Sequence, residues 1–255
     1  MPSEGTDEKH AVPFVRKGLT SIALHFSIEE TQSRMQIGKP DALDLRYTRT
    51  MMGFLMFEPA PLDIAMIGLG GGSIVKFCYR HLPKARIDAV EINPRIIELR
   101  DDFQVPRDDE RFAVIEGDGA QYVRDSERRY DVLLLDAFGP DGLPRRMSSQ
   151  SFYDDCLDLL KRGGILVSNF HTAARDFKAC VERLEQTFDG ICLVVEDREA
   201  GNTIVFARKQ VPLALPADAR VKRPRGLDAG AWSQLGGAFE RIATAHARRL
   251  KERAA

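Results

Sequence analysis

Cysteine is scarce in this chain, with four in 255 residues (Cys78, Cys156, Cys180, Cys192), and no two form a CxxC pair. That pattern excludes a disulfide framework or a cysteine-held zinc site, and leads us to expect free thiols in a reducing, cytoplasmic setting. Five histidines show neither HxH nor HxxxH spacing, so no resident metal is expected. Neither charge sign dominates. Thirty-seven Lys and Arg offset 38 Asp and Glu for a net charge of −1, which argues against a polycation built to coat nucleic acid. No apolar run approaches the roughly 18–20 residues that cross a bilayer. The opening MPSEGTDEKH is acidic and polar, without a basic segment leading into an apolar one, so neither a membrane span nor a secretory signal is expected. A phosphate loop ending in Lys-Ser/Thr is missing too, which gives nucleoside triphosphate hydrolysis no support. Nor is there an obvious basic cluster for a pyrophosphate, which weighs against NAD.

Hydrophobic residues make up 44% of the chain, enough for one large core with a small appendage. Leu19–Phe26 and Ser33–Ile37 read as strands around a polar turn, and Asp41–Phe57 as a helix ended by Pro59 and Pro61. From Asp63 the chain alternates. Strands are expected at Ile64–Ile67, Arg86–Val90, Ala113–Ile115, Val132–Leu135 and Ile165–Ser168. Helices lie between them, one over Ser73–His81 after the glycine turn, one opened by Pro94 and one, through Phe152, Cys156, Leu159 and Leu160, closed by Gly163-Gly164. Ile191–Val195 and Thr203–Ala207 follow with no helix between them and should pair antiparallel. Such alternation means a doubly wound α/β sheet, mostly parallel. The expected organisation is an N-terminal β-hairpin module with a lead-in helix at 1–58, an α/β domain at 59–210, and a proline-containing linker with a basic helix at 211–255. That last segment carries nine basic and four acidic residues, and its Phe239, Ile242 and Leu250 suggest a docking or dimer-contact helix.

In sheets of this kind ligands bind beyond the carboxyl ends of the strands. The first parallel strand runs into Gly68-Leu69-Gly70-Gly71-Gly72-Ser73, where glycines allow a tight turn and close approach of a ligand. The second ends in Glu91, placed to accept ribose hydroxyls. The third ends in Glu116-Gly117-Asp118-Gly119, where Asp118 suits an adenine amine, although an Asp-Gly turn is the structural alternative. The fourth ends in Asp136, an acid leaving the most apolar strand, which is costly without a partner or a task. Taken jointly these residues read as an adenosine site.

The segments IGLGGGS (67–73), VEINPRII (90–97), EGDGAQYV (116–123), DVLLLDAFGPDGLP (131–144) and SFYDDCLDLLKRGGILVSN (151–169) resemble the spermidine/spermine synthases, over about two-thirds of the chain. The resemblance implies the seven-stranded, Rossmann-like fold of class I S-adenosylmethionine-dependent methyltransferases, a small N-terminal β-module, and a homodimer. It implies a sulfonium nucleoside as co-substrate, with Gln36 near the nucleoside, Gly68, Gly70, Gly71 and Gly72 around it, Glu91 on the ribose, and Asp118 with Gly119 on the adenine. The family reaction transfers the aminopropyl group of decarboxylated S-adenosylmethionine to an amine or polyamine, and a carboxylate base must deprotonate that amine. The chain departs from the family at the acids that hold cations. Gly71 stands for an Asp, Tyr47-Thr48-Arg49 keeps only the tyrosine of a Tyr-His-Glu run, and Gly139 stands for the base. Asp136 and Asp141 are both candidates for that base, with Tyr47 beside them. A methyltransferase using intact S-adenosylmethionine, or a non-catalytic nucleoside-binding relative, is the alternative.

Overall fold

The structure is a computed structural model that describes residues 11–27, 31–137, 143–197, 201–215, 223 and 227–254. Three antiparallel strands open the chain: β1 (Phe14–Lys17), β2 (Ser21–His25) and β3 (Thr31–Gln36). The sequence reading had two of them. β1 is four residues long with a single apolar pair, too short to show a period. A short helix α1 (Arg46–Met51) runs into a 3-10 turn, Met52–Met56.

The expected helix over Asp41–Phe57 therefore starts only at Arg46. Leu45 is extended, and the Leu43 N–H donates to Gln234 Oε1 (2.9 Å), so a distant side chain takes the place of a helical carbonyl.

The alternating region comprises β4 (Asp63–Ile67), α2 (Ser73–His81), β5 (Arg86–Glu91), α3 (Pro94–Glu98), β6 (Phe112–Glu116), α4 (Gly119–Asp125), β7 (Tyr130–Leu135), α5 (Gln150–Leu159), β8 (Leu160–His171), α6 (Phe177–Thr187), β9 (Cys192–Asp197) and β10 (Asn202–Arg208). A long helix, α7 (Ala229–Ala254), ends the chain. The seven strands β4–β10 form one sheet in the order β6-β5-β4-β7-β8-β10-β9. β4 through β8 are parallel, and β10 is antiparallel to both β8 and β9. The fold is the mostly parallel, doubly wound sheet read from the sequence.

Both faces of the sheet are covered, as continuous apolar strands require. On β4 the two-residue period sends Ile64 and Met66 to one side, with Phe54, Phe77 and Ile242. Ala65 and Ile67 go to the other, with Phe152, Cys156 and Leu184. Leu24 and Met35 of the N-terminal strands are 1% exposed and join the first cluster, so the small sheet is welded to the large one. All four cysteines are unpaired and buried, and burial pushes the thiols of Cys78 and Cys192 up to about 12, which removes them as nucleophiles at neutral pH.

Two local expectations are corrected. Gly163-Gly164 does not end α5. The helix stops at Leu159, and both glycines lie inside β8 where its register against β7 shifts. Gly163 has φ +80°, and a Cβ on Gly164 would stand 2.9 Å from the Tyr130 carbonyl oxygen, so the irregular pairing needs them. In α7, Phe239 and Ile242 are buried, but Leu250 is 57% exposed. This helix docks on its own chain. Arg241, Arg249 and Arg253 are engaged there as well, with Arg253 Nη2 donating to the Gly190 carbonyl at 2.7 Å.

Candidate active site

β4 pairs in parallel with β5 on one side and β7 on the other, so the strand order switches at β4/β7 and the loops beyond must diverge. A cavity of about 640 Å³ opens there, over the carboxyl ends of the strands and beneath β2 and β3. The backbone of the glycine turn is held at both flanks. Gly68 N–H donates to the Val90 carbonyl (2.8 Å) and Asp136 N–H to the Ile67 carbonyl (2.9 Å). Gly68 has φ +94°, and a Cβ there would collide with the Asp136 carbonyl, so only glycine fits between the two strand ends.

Gly68, Leu69 and Gly70 line the cavity. Gly71 and Gly72, expected around the nucleoside, do not line it. A Cβ on Gly71 would lie 2.6 Å from Ser33 Oγ and 2.9 Å from Phe103 Cδ1, which places that position against β3 and the wall. The space that an aspartate would need is filled by these two side chains. Gly71→Asp is therefore expected to cost about 1–3 kcal/mol through overpacking, read as a lowered Tm.

Glu91, 8% exposed, faces the cavity from the end of β5. Its Oε2 accepts the Leu69 N–H and its Oε1 the Asn93 N–H, each at 2.9 Å. This one carboxylate thus ties the glycine turn to the entrance of α3, where Asn93 caps the helix and Pro94 takes the first position. Asp118 and Gly119 also line the cavity. Asp118 is the N-cap of α4, accepting the Ala120 N–H at 2.8 Å, and it pairs with Arg146.

Asp136 leaves β7 beside the glycine turn and lines the same cavity. Asn169 Nδ2 donates to its Oδ1 (2.9 Å), and the Tyr47 hydroxyl is its other hydrogen-bond partner. Burial holds this carboxyl above the ordinary aspartate range, against the opposing pull of Asn169, Tyr47 and His171. The Tyr47 hydroxyl is raised well above its usual value by burial and by Asp136, so it stays a donor. Asp141 and Gly139 lie outside the described residues.

Gln36 is not at the cavity. Along β3 Ser33 and Met35 are buried and Gln36 is exposed, and its Nε2 donates to Asp44 Oδ1 (2.7 Å). Four residues earlier, about 13 Å along a strand, Gln32 does line the cavity, and its carbonyl accepts the Tyr47 hydroxyl at 3.5 Å. The strand reading gave the segment but not where along it the cavity begins.

The structure adds lining residues that were not expected: Arg34, Asp44, Arg46, Arg146, Asn169 and Asn202. His171, which follows the strand end read at Ser168, lines the cavity as well. Asn169 carried a usable signal, since it directly follows that expected strand end. Arg46, Arg146 and Asn202 carried none, because they reach the cavity from α1, from the turn before α5 and from the start of an antiparallel strand.

Residues 44–196 match the spermine/spermidine synthase domain. A polyamine aminopropyltransferase of Neisseria meningitidis serogroup A is 36% identical over 203 residues, 79% of this chain and 77% of that protein. One from Chromobacterium violaceum is 35% identical over 207 residues, 81% of this chain and 79% of that protein. Among solved structures, a probable spermidine synthase from Corynebacterium glutamicum shares the fold at a TM-score of 0.71 with 19% identity, covering 86% of this chain and 85% of that one.

Proposed function

The chain belongs to the spermine/spermidine synthase family, and on that premise we propose that its cavity binds decarboxylated S-adenosylmethionine and transfers the aminopropyl group to an amine. Glu91 accepts the ribose hydroxyls, with lone pairs remaining beside its two backbone bonds. Asp118 and Gly119 border the adenine, and the open backbone of Gly68 and Gly70 lets the nucleoside lie close. The reacting carbon is the aminopropyl carbon attached to the sulfonium. The acceptor nitrogen attacks it, the new N–C bond forms as the C–S bond breaks, and the electron pair passes to sulfur, leaving neutral methylthioadenosine. The acceptor must enter as a free amine, since an ammonium has no lone pair. Asp136 takes its proton.

The observation that carries this reading is the position of Asp136. It is a cavity carboxylate with a raised pKa and neutral hydrogen-bond partners, next to the glycine turn. Its elevated proton affinity suits a base that must hold a proton. Tyr47 and Asn169 fix its orientation.

Incubation with decarboxylated S-adenosylmethionine and a panel of amines is expected to release methylthioadenosine, followed by chromatography. No release with any amine overturns the proposal. Transfer of a labelled methyl group from intact S-adenosylmethionine in parallel reactions would mark a methyltransferase instead. The reading carries two further proposals. The first is a homodimer, which light scattering at micromolar concentration checks. The second is residence in a reducing, cytoplasmic compartment, supported by the four unpaired buried thiols. Among the described residues no helix is long and apolar enough to cross a membrane.

A further inference from the structure

On the transferase reading above, Asp136 has to be ionised and aimed when the acceptor arrives. An ionised carboxylate only accepts hydrogen bonds. Asn169 must therefore offer it an N–H and turn its own oxygen away. Asn169 Nδ2 donates to Asp136 Oδ1 (2.9 Å), and Asn169 Oδ1 accepts from Asn202 Nδ2 (3.0 Å). The three side chains form a line with one direction, from the Asn202 N–H to the Asp136 carboxylate. Reversing the Asn169 amide would set oxygen against oxygen at Asp136 and N–H against N–H at Asn202. Each end of the line thus fixes the amide in the middle.

Asn202 is anchored independently of the base. It opens β10 and lies in register with His171 of β8, two residues beyond Asn169. The two-residue period of a strand puts Asn169 and His171 on one face, so Asn202 meets Asn169 as a diagonal neighbour. Gly201 before it takes φ +70°, and the Gly201 carbonyl accepts the Thr172 N–H (2.9 Å). The Thr203 hydroxyl after it bonds that of Thr172 (3.1 Å). The chain on both sides of Asn202 is therefore tied to the segment that ends β8. Asn169 and Asn202 are 3% and 8% exposed. At such burial a hydrogen bond to a charged group is strong, and its loss is costly.

We propose that Asn202 is a positioning residue for the transfer reaction: through Asn169 it keeps an N–H on Asp136 and so holds the base ionised and oriented. Tyr47 from α1 and His171 from β8 also act on Asp136. The other ionisable groups lining the cavity, among the described residues, are Arg34, Asp44, Arg46, Glu91, Asp118 and Arg146. An uncharged substitution at position 202 alters the charge of none of them, so a change in the titration of Asp136 reports the line of amides.

Asn202→Leu keeps the size of the side chain and removes the donor. The acid limb of kcat/KM for methylthioadenosine release, the limb that Asp136→Asn should lose, is expected to move up by about half to one pH unit. Turnover at neutral pH should fall by about tenfold. Because the effect runs through Asn169, adding Asn202→Leu to Asn169→Leu should change neither value further, whereas two independent supports would give additive losses. Asn202→Asp is isosteric and can only accept, so it turns the Asn169 amide round and should push the limb higher still. This polar variant replaces the leucine one if that fails to fold. An acid limb left where the unaltered protein has it, or additive losses in the double variant, overturns the inference. Titration of the Asp136 carboxyl by carbon-13 NMR, its signal identified by its absence in Asp136→Asn, reads the same shift without turnover. If the unaltered protein releases methylthioadenosine with no amine, the transferase reading fails. The NMR titration then decides by itself whether Asn202 governs Asp136: an upward shift in Asn202→Leu upholds the line of amides, and an unmoved carboxyl overturns it.

Discussion

Asp136→Asn is expected to lower turnover by about 10²–10⁴-fold, the usual range for loss of a positioned base, while leaving the fold intact. The substitution keeps the shape of the side chain and the oxygen that accepts from Asn169. It removes the capacity to take a proton and replaces the second oxygen with an N–H donor, from which the Tyr47 hydroxyl can accept while it donates to the Gln32 carbonyl. The pH dependence has a definite sign. The base works when ionised, and burial raises its pKa. The acid limb of kcat/KM should therefore fall at a pH above the ordinary aspartate value of about 3.9, and Asp136→Asn should lose it. Stability moves the other way. With a folded pKa above the unfolded one, the native state binds more protons between the two values, so stability falls as pH rises through that window. At neutral pH the asparagine variant should be at least as stable as the parent. A variant that melts lower yet still releases methylthioadenosine at the parent rate would remove Asp136 from the chemistry.

Glu91→Ala should weaken binding of methylthioadenosine by about tenfold or more and lower stability by about 1–3 kcal/mol, since it leaves two buried N–H donors without acceptors. Those donors belong to Leu69 and Asn93, so the glycine turn and the cap of α3 loosen together. Glu91→Gln separates the two effects. One amide oxygen still accepts a backbone N–H, so stability recovers in part, whereas the amide's own donor now faces one of the two N–H groups. Calorimetric titration of both variants, alongside thermal melts, checks this. Unchanged affinity in Glu91→Ala would confine the residue to holding the backbone.

Ser73–His81 was legible as a helix to the residue, and Pro94 as the opening of another, because their signals are local: a glycine turn, an apolar period, a fixed proline φ. The strand-end residues Glu91, Asp118 and Asp136 were legible for a related reason. A parallel sheet brings the ends of its strands to one edge, so finding the strands finds the residues.

Where the small sheet meets that edge was beyond local signals. Gln36 was read at the cavity and lies on the outer face, because alternation gives the side a residue points to but not how far along the strand a neighbour sits. Gly71 was read among the glycines that let a ligand approach closely, and Ser33, 38 positions earlier, packs against it instead. Arg46 and Asp197 are 151 residues apart in the chain, and no pattern within either segment marks them as partners. The chain alone thus determined the α/β alternation and the strand-end carboxylates of the cavity, since both follow from short-range periodicity and the geometry of a parallel sheet. The part of the lining contributed by Arg46 and Asn202 was decided by tertiary packing, which brings together α1, the antiparallel β10 and α7 through contacts that no local propensity encodes.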